Sequence, residues 1–163
     1  MFADWLLYAC VIAALASGLV AGVFLTFSDF VMRSLIAAHP EGGVEAMQNI
    51  NRKVYGSVFL VLFLAMAPVS VALAVYASLA VTGAAATWII AGAAIYVTSV
   101  FLVTILCNVP MNRRLDRMDH AAGETADYWR VYGSVWTRWN HVRTVGSLAT
   151  SVCFLIAGVT LAQ

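Results

Sequence analysis

YWRVYGSVWTRWNHVR, Tyr128–Arg143, stands between two long apolar segments and holds three of the five tryptophans. Asn140, His141 and Arg143 fall within four positions, where the chain re-enters an apolar run. On a helix, Trp129, Tyr132, Trp136 and Trp139 follow one face at three-to-four spacing. Asn140 and Arg143 are three apart beside that face, and His141 points about one residue-step away. The tryptophans read in two ways: as an aromatic belt at a membrane interface, or as the flat wall of a ligand site.

Around this stretch, four apolar segments are long enough to span a bilayer: about 5–28, 54–79, 84–107 and 145–162. About 20 helical residues cross the hydrocarbon core. The segments lack the sustained alternation of barrel strands. The chain has 163 residues, 63% hydrophobic and 10% charged, which is membrane composition. The expected fold is therefore all-α: a polytopic membrane protein, a four-transmembrane-helix bundle with short amphipathic helices on the cytoplasmic side. One membrane domain is expected over 1–163, with interfacial segments about 44–53 and 110–143. The first segment reads as a retained helix, because Asp4 and no Lys or Arg precede its apolar run.

Charge sets the expected topology. Arg33, Arg52 and Lys53 lie between spans one and two, and the other six basic residues between spans three and four. The positive-inside rule puts both groups in the cytoplasm of an inner or plasma membrane, with both termini extracytoplasmic. The net charge of +1 gives no basic surface for nucleic acid. The expected partners are the lipid bilayer and an apolar aromatic small molecule. Ala14, Gly18 and Gly22, at spacings of four, form a small-residue face for another helix or for a homo-oligomer. Cys10, Cys107 and Cys153 read as separate buried thiols.

Several polar residues cluster near the basic side. Asp29 and Arg33 are four apart, either as an ion pair closing the first helix or as members of a polar pocket. Asn51 interrupts the apolar face of Met47 and Val54, beside Arg52. Asn108 reads as a cap for a turn that tolerates Pro110, and Asn112 follows four residues on. Arg113, Arg114 and Arg117 fit the headgroup plane. His39 and His120 sit in polar loops and read as exposed. No HExxH, paired His or Cys/His cluster supplies a metal signature, and no glycine-rich nucleotide motif occurs. What remains is carboxamides and arginines, which donate to an oxyanion or enolate, and a histidine able to move a proton near neutral pH.

Four stretches carry a family resemblance: GVFLTFSDFVM at 22–32, MQNINR at 47–52, NVPMNRRL at 108–115 and WTRWNHVRT at 136–144. In these the chain resembles the anthrone-oxygenase-like family of small integral membrane proteins, over nearly its whole length. The resemblance implies oxidation of an apolar anthrone or related polycyclic phenol to a quinone. It implies no cofactor, with molecular oxygen as co-substrate. It marks Asn108, Asn112, Trp136, Trp139, Asn140, His141 and Arg143 as motif-matched. In that reading His141 removes a proton, and Asn140 and Arg143, helped by Asn108 or Asn112, hold the enolate. Trp129, Trp136, Trp139, Asn51, Arg52, Asp29 and Arg33 line the substrate. Arg33 follows Met32 where the family often has proline, which loosens the transfer of the substrate. Two other classes stay open: a non-catalytic ligand-binding or complex-scaffolding protein, and a small transporter.

Overall fold

The computed structural model describes Phe2–Gln163, with side chains from Trp5 onward, so the Asp4 side chain lies outside the described residues. Every regular element among the described residues is helical. Four helical stretches are long and apolar enough to cross a membrane: Trp5–Ala37, Val58–Ala80, Ala84–Asp116 and Gly123–Leu161.

The first is compound. Helix α1 (Phe2–Thr26) passes through a π-helical segment, Phe27–Val31, into α2 (Met32–Ala37). The chain then turns at Ala38, whose backbone is extended, into α3 (Pro40–Lys53). Proline suits the first turn of α3, where an N–H has no helical acceptor. A short 3₁₀ turn, Val54–Gly56, leads to α4 (Val58–Ala80). The second span begins at Val58 and not at Val54, because Ser57 is extended and its hydroxyl accepts from the Leu60 N–H at 3.1 Å.

Gly83, at φ 74°, makes the turn into α5 (Ala84–Ile95), a conformation glycine adopts without strain. Two π-helical segments, Tyr96–Leu102 and Thr104–Asn108, carry the rod on into α6 (Val109–Asp116). The last helix, α7 (Gly123–Leu161), has 39 residues. At 1.5 Å per residue it is about 58 Å long, more than the roughly 40–45 Å of a bilayer with its headgroups. The stretch 110–143 therefore divides between the end of the third rod and the first half of α7.

Two apolar cores result. One fills the bundle around Val20, Phe24, Phe63, Tyr96 and Phe154. Tyr96, buried there, donates to the Phe63 carbonyl at 2.8 Å, and Ser151 donates to the Ala14 carbonyl at 2.7 Å. Leu15, Leu19, Val61 and Leu148 are exposed, as expected of surfaces that face lipid. The second core lies at the end of the bundle where α2, α3, α6 and the start of α7 meet, around Met32, Met47, Leu115, Trp129 and Tyr132. Gln48 ties α3 to the end of α6 by donating to the Leu115 and Met118 carbonyls, both at 2.9 Å. The two basic links thus occupy the same end of the bundle. Cys10 and Cys153 are buried and Cys107 half-buried, all as free thiols.

The close glycine contacts differ from those expected at Gly18 and Gly22. A Cβ on Gly22 would meet nothing within 4 Å, and on Gly18 only the Ser151 hydroxyl at 3.4 Å. Gly22 faces outward because the α1 face against α7 is carried by Ala14 and Gly18. A Cβ on Gly43 would run into the Leu35 carbonyl oxygen. Backbone there has to move, so Gly43→Ala is expected to destabilise the protein by about 1–3 kcal/mol. Gly22→Ala is expected to leave thermal stability in detergent unchanged; equal midpoints for both variants would contradict this packing.

Candidate active site

The C-terminal end of α1, α6 and the middle of α7 border, with the α3–α4 joint, an open-mouthed cavity of about 460 Å³. Its walls are apolar and rich in rings: Phe24, Phe27, Ile50, Phe59, Phe63 and Trp136. These rings come from α1, the first π-helical segment, α4 and α7, and Phe27 lies beside Trp136 with ring centroids 6.0 Å apart. Phe24 meets Phe59 edge-on at 5.5 Å. Among the polar side chains lining this apolar space are Asn51, Asn112, Asn140 and Arg143.

Arg143 is 5% exposed. Its guanidinium lies 4.3 Å from the centroid of Phe24 and 5.2 Å from that of Trp136. One terminal nitrogen donates to the Asn140 Oδ1 at 2.6 Å, and the other to the Thr104 hydroxyl at 3.4 Å. Nε has no partner, and among the described residues no carboxylate pairs with this arginine. A buried cation without a counter-anion is held here by dipoles and ring faces.

Asn140 is fully buried. Its amide nitrogen donates to the Phe24 carbonyl and to the Ser28 hydroxyl, each at 2.6 Å. That carbonyl lies in the last turn of α1, just before the first π-helical segment. With its nitrogen so engaged, Asn140 turns its oxygen to Arg143. Asn112 is oriented by the same logic. Its Oδ1 accepts from the Tyr132 hydroxyl and from Trp136 Nε1, both at 2.8 Å. An indole N–H only donates, so the Asn112 amide nitrogen faces the opposite way. The Asn51 amide nitrogen is buried and without a partner.

The remaining expected residues are placed as follows. Asn108 caps no helix: it is buried behind Trp136 and donates to its carbonyl at 3.3 Å, outside the cavity lining. Trp129 is buried but off the cavity, in a stack with Tyr132 and Trp136 at centroid spacings of 5.4 and 5.9 Å. Trp139 is 39% exposed and outside that stack. His141 is exposed and does not line the cavity. Asp29 and Arg33 pair at 2.8 Å on the surface, 62% and 73% exposed, so the ion-pair alternative describes them and the pocket alternative does not. Arg52 lines the rim and pairs with Asp116 at 2.7 Å. Unforeseen members are Phe24, Phe59, Phe63, Thr104 and Asp116. Phe24 and Asn140 lie far apart in sequence, and no local pattern joins them. Among the described residues no three His, Cys, Asp or Glu side chains come together.

The fold and this cavity define a class: small four-span helical proteins with an aromatic-walled, donor-lined chamber at one end. Residues 47–153 match the family described as anthrone oxygenase, and the chain belongs to that family. The matched region contains Asn51, Asn112, Trp136, Asn140 and Arg143. No curated protein and no solved structure matches the chain.

Proposed function

We propose that the protein is an oxygenase that converts an apolar anthrone or related polycyclic phenol to a quinone with molecular oxygen. The observation that carries this reading is Arg143, a buried guanidinium with a free Nε, in a cavity walled by rings. A flat polycycle fits such walls, and aromatic packing adds about 0.5–1.5 kcal/mol beyond area burial. Its oxygen meets Arg143, with the Asn51 and Asn112 amides as further donors. Cationic and neutral donors that are already fixed in place favour the enolate over the ketone.

The chemistry balances as one anthrone and one dioxygen giving one quinone and one water. Loss of a proton from the methylene carbon leaves an enolate held by Arg143. Asp116, the carboxylate among the residues lining the cavity, takes that proton in place of His141. The electron-rich anion passes one electron to dioxygen, and the two radicals combine to a peroxide. Asp116 returns its proton to the peroxide; loss of the second methylene proton then breaks the O–O bond, leaving the new carbonyl and a hydroxide that takes up that second proton as water. The protein supplies deprotonation, orientation and control of water, and the reaction as proposed draws on no cofactor. The basic end faces the cytoplasm by the positive-inside rule, so a cysteine placed at Arg130 is shielded from an impermeant external thiol reagent; labelling from outside reverses that orientation.

The test is aerobic turnover of a panel of anthrones by purified, metal-analysed protein, with oxygen uptake and quinone formation followed together. Quinone is expected to form well above the uncatalysed rate. His141→Ala is expected to retain the wild-type rate to within about twofold, against the tenfold or larger loss usual for a general base. Background rates across the panel would overturn the oxygenase reading. A large loss in folded His141→Ala protein would return the proton transfer to that residue.

A further inference from the structure

We propose that Arg113, Arg114 and Arg117 form a binding site for the phosphate of an anionic phospholipid, on the outer side of α6. The inference does not rest on the oxygenase reading. Most of the other arginines have a side-chain partner within the chain: Arg33 pairs with Asp29, Arg52 with Asp116, Arg130 with Asp127, and Arg143 with Asn140. Arg113, Arg114 and Arg117 have no carboxylate partner among the described residues. Asp116, which sits between them in sequence, is turned to Arg52. Asp119 accepts from the Ala121 backbone N–H. Three uncompensated guanidinium groups are therefore crowded into five positions, and each repels the others unless an anion joins them.

They also share a shape. The three arginines, with Pro110 and Met118, line a concavity of about 500 Å³. Arg114 is fixed within it, its guanidinium 4.1 Å from the centroid of the Tyr128 ring. A guanidinium held against a ring has less freedom to lose when it grips a phosphate, and its fork suits phosphate oxygens. Position then selects a lipid. Ile105 and Leu106, lower on the same rod, are 45% and 68% exposed, as a lipid-facing surface requires. Leu106 and Arg113 are separated by about 10 Å of helix rise, which puts the arginines at the depth of the phosphates when Leu106 lies at the edge of the hydrocarbon. Met118 and Pro110 give the glycerol backbone an apolar edge to rest on. Arg113 also lines the rim of the cavity, so a bound headgroup sits at its mouth.

The experiment reconstitutes full-length protein in phosphatidylcholine bilayers carrying a minority of phosphatidylglycerol. The lipids that stay with the protein after gentle detergent extraction are counted by mass spectrometry. Wild type is expected to retain phosphatidylglycerol in preference to phosphatidylcholine. Arg113→Gln/Arg114→Gln/Arg117→Gln is expected to lose that preference by about tenfold or more, as several interfacial charges are removed. Arg138→Gln, which removes an exposed charge from α7, is expected to keep it. Should the triple variant fail to fold, Arg114→Gln alone tests the same site and is expected to weaken retention severalfold. Equal retention by wild type and the folded variants overturns the proposal. A second arm adds inorganic phosphate. No displacement of the lipid is expected at millimolar phosphate, whereas full displacement with no preference among lipids would show a soluble anion site and overturn the lipid assignment.

Discussion

Arg143→Met is expected to lower kcat/KM for anthrone oxidation by about 10²- to 10³-fold, the loss typical when one fixed oxyanion donor is removed. Methionine keeps much of the length and fills the space between Phe24 and Trp136, so the rings keep their contacts. The fold is expected to survive. Arg143 has no carboxylate partner among the described residues, so its removal strands no buried opposite charge. Asn140 loses one hydrogen bond through Oδ1 but keeps both donated by its amide nitrogen. Arg143→Lys retains the charge without the planar fork and is expected to fall between the two. Steady-state oxygen uptake on detergent-purified protein gives the ratio. A decrease below about threefold would move the oxyanion elsewhere.

Trp136→Ala is expected to have the largest effect on stability, about 3–5 kcal/mol, in the range for a buried tryptophan truncated to alanine. Trp136 is 4% exposed. It stacks on Tyr132, leans against Phe27, carries Arg143 and donates to Asn112. The variant loses a wall of the cavity and the donor that orients Asn112 together. Trp139→Ala removes an equally large ring that is 39% exposed, and it is expected to shift stability by less than about 1 kcal/mol. Thermal unfolding of the two variants in one detergent separates them. Similar losses would mean that both rings are buried by lipid or by a second copy.

These contrasts show how far a sequence pattern reaches. The four spans follow from hydropathy, and the shared end of the basic links follows from charge. Asn140 and Arg143 are about 60° apart around a helix at 3.6 residues per turn, while His141 is about 160° from Arg143. Helix phase alone thus anticipates that His141 leaves the side of the helix that Arg143 occupies. Trp139 is different. It shares the direction of Tyr132 on an ideal helix, seven residues further on, yet Tyr132 is fully buried. Burial there depends on which element stands opposite: the core shared with α2, α3 and α6 takes in α7 residues as far as Trp136 and not Trp139. The same limit hid Phe59 and Phe63, whose place in the cavity depends on where α4 crosses α1. Gly22 belongs to a small-residue spacing that fits either a helix contact or an open face. The π-helical segments leave no signature in hydropathy, yet one of them follows directly on the turn of α1 whose Phe24 carbonyl holds Asn140.

Stabilisation of a substrate oxyanion by Arg143 is the step on which the proposed oxygenase chemistry depends. The most direct measurement is an anaerobic titration of a bound anthrone, following the long-wavelength absorbance of its enolate as pH is raised. Without dioxygen the anion accumulates and is not consumed. The bound substrate is expected to ionise at least about one pH unit below the free compound, equivalent to about 1.4 kcal/mol in favour of the anion. Arg143→Met is expected to abolish this shift while still binding the neutral ring. An unshifted ionisation in the wild type, or the same shift in Arg143→Met, would contradict stabilisation by Arg143.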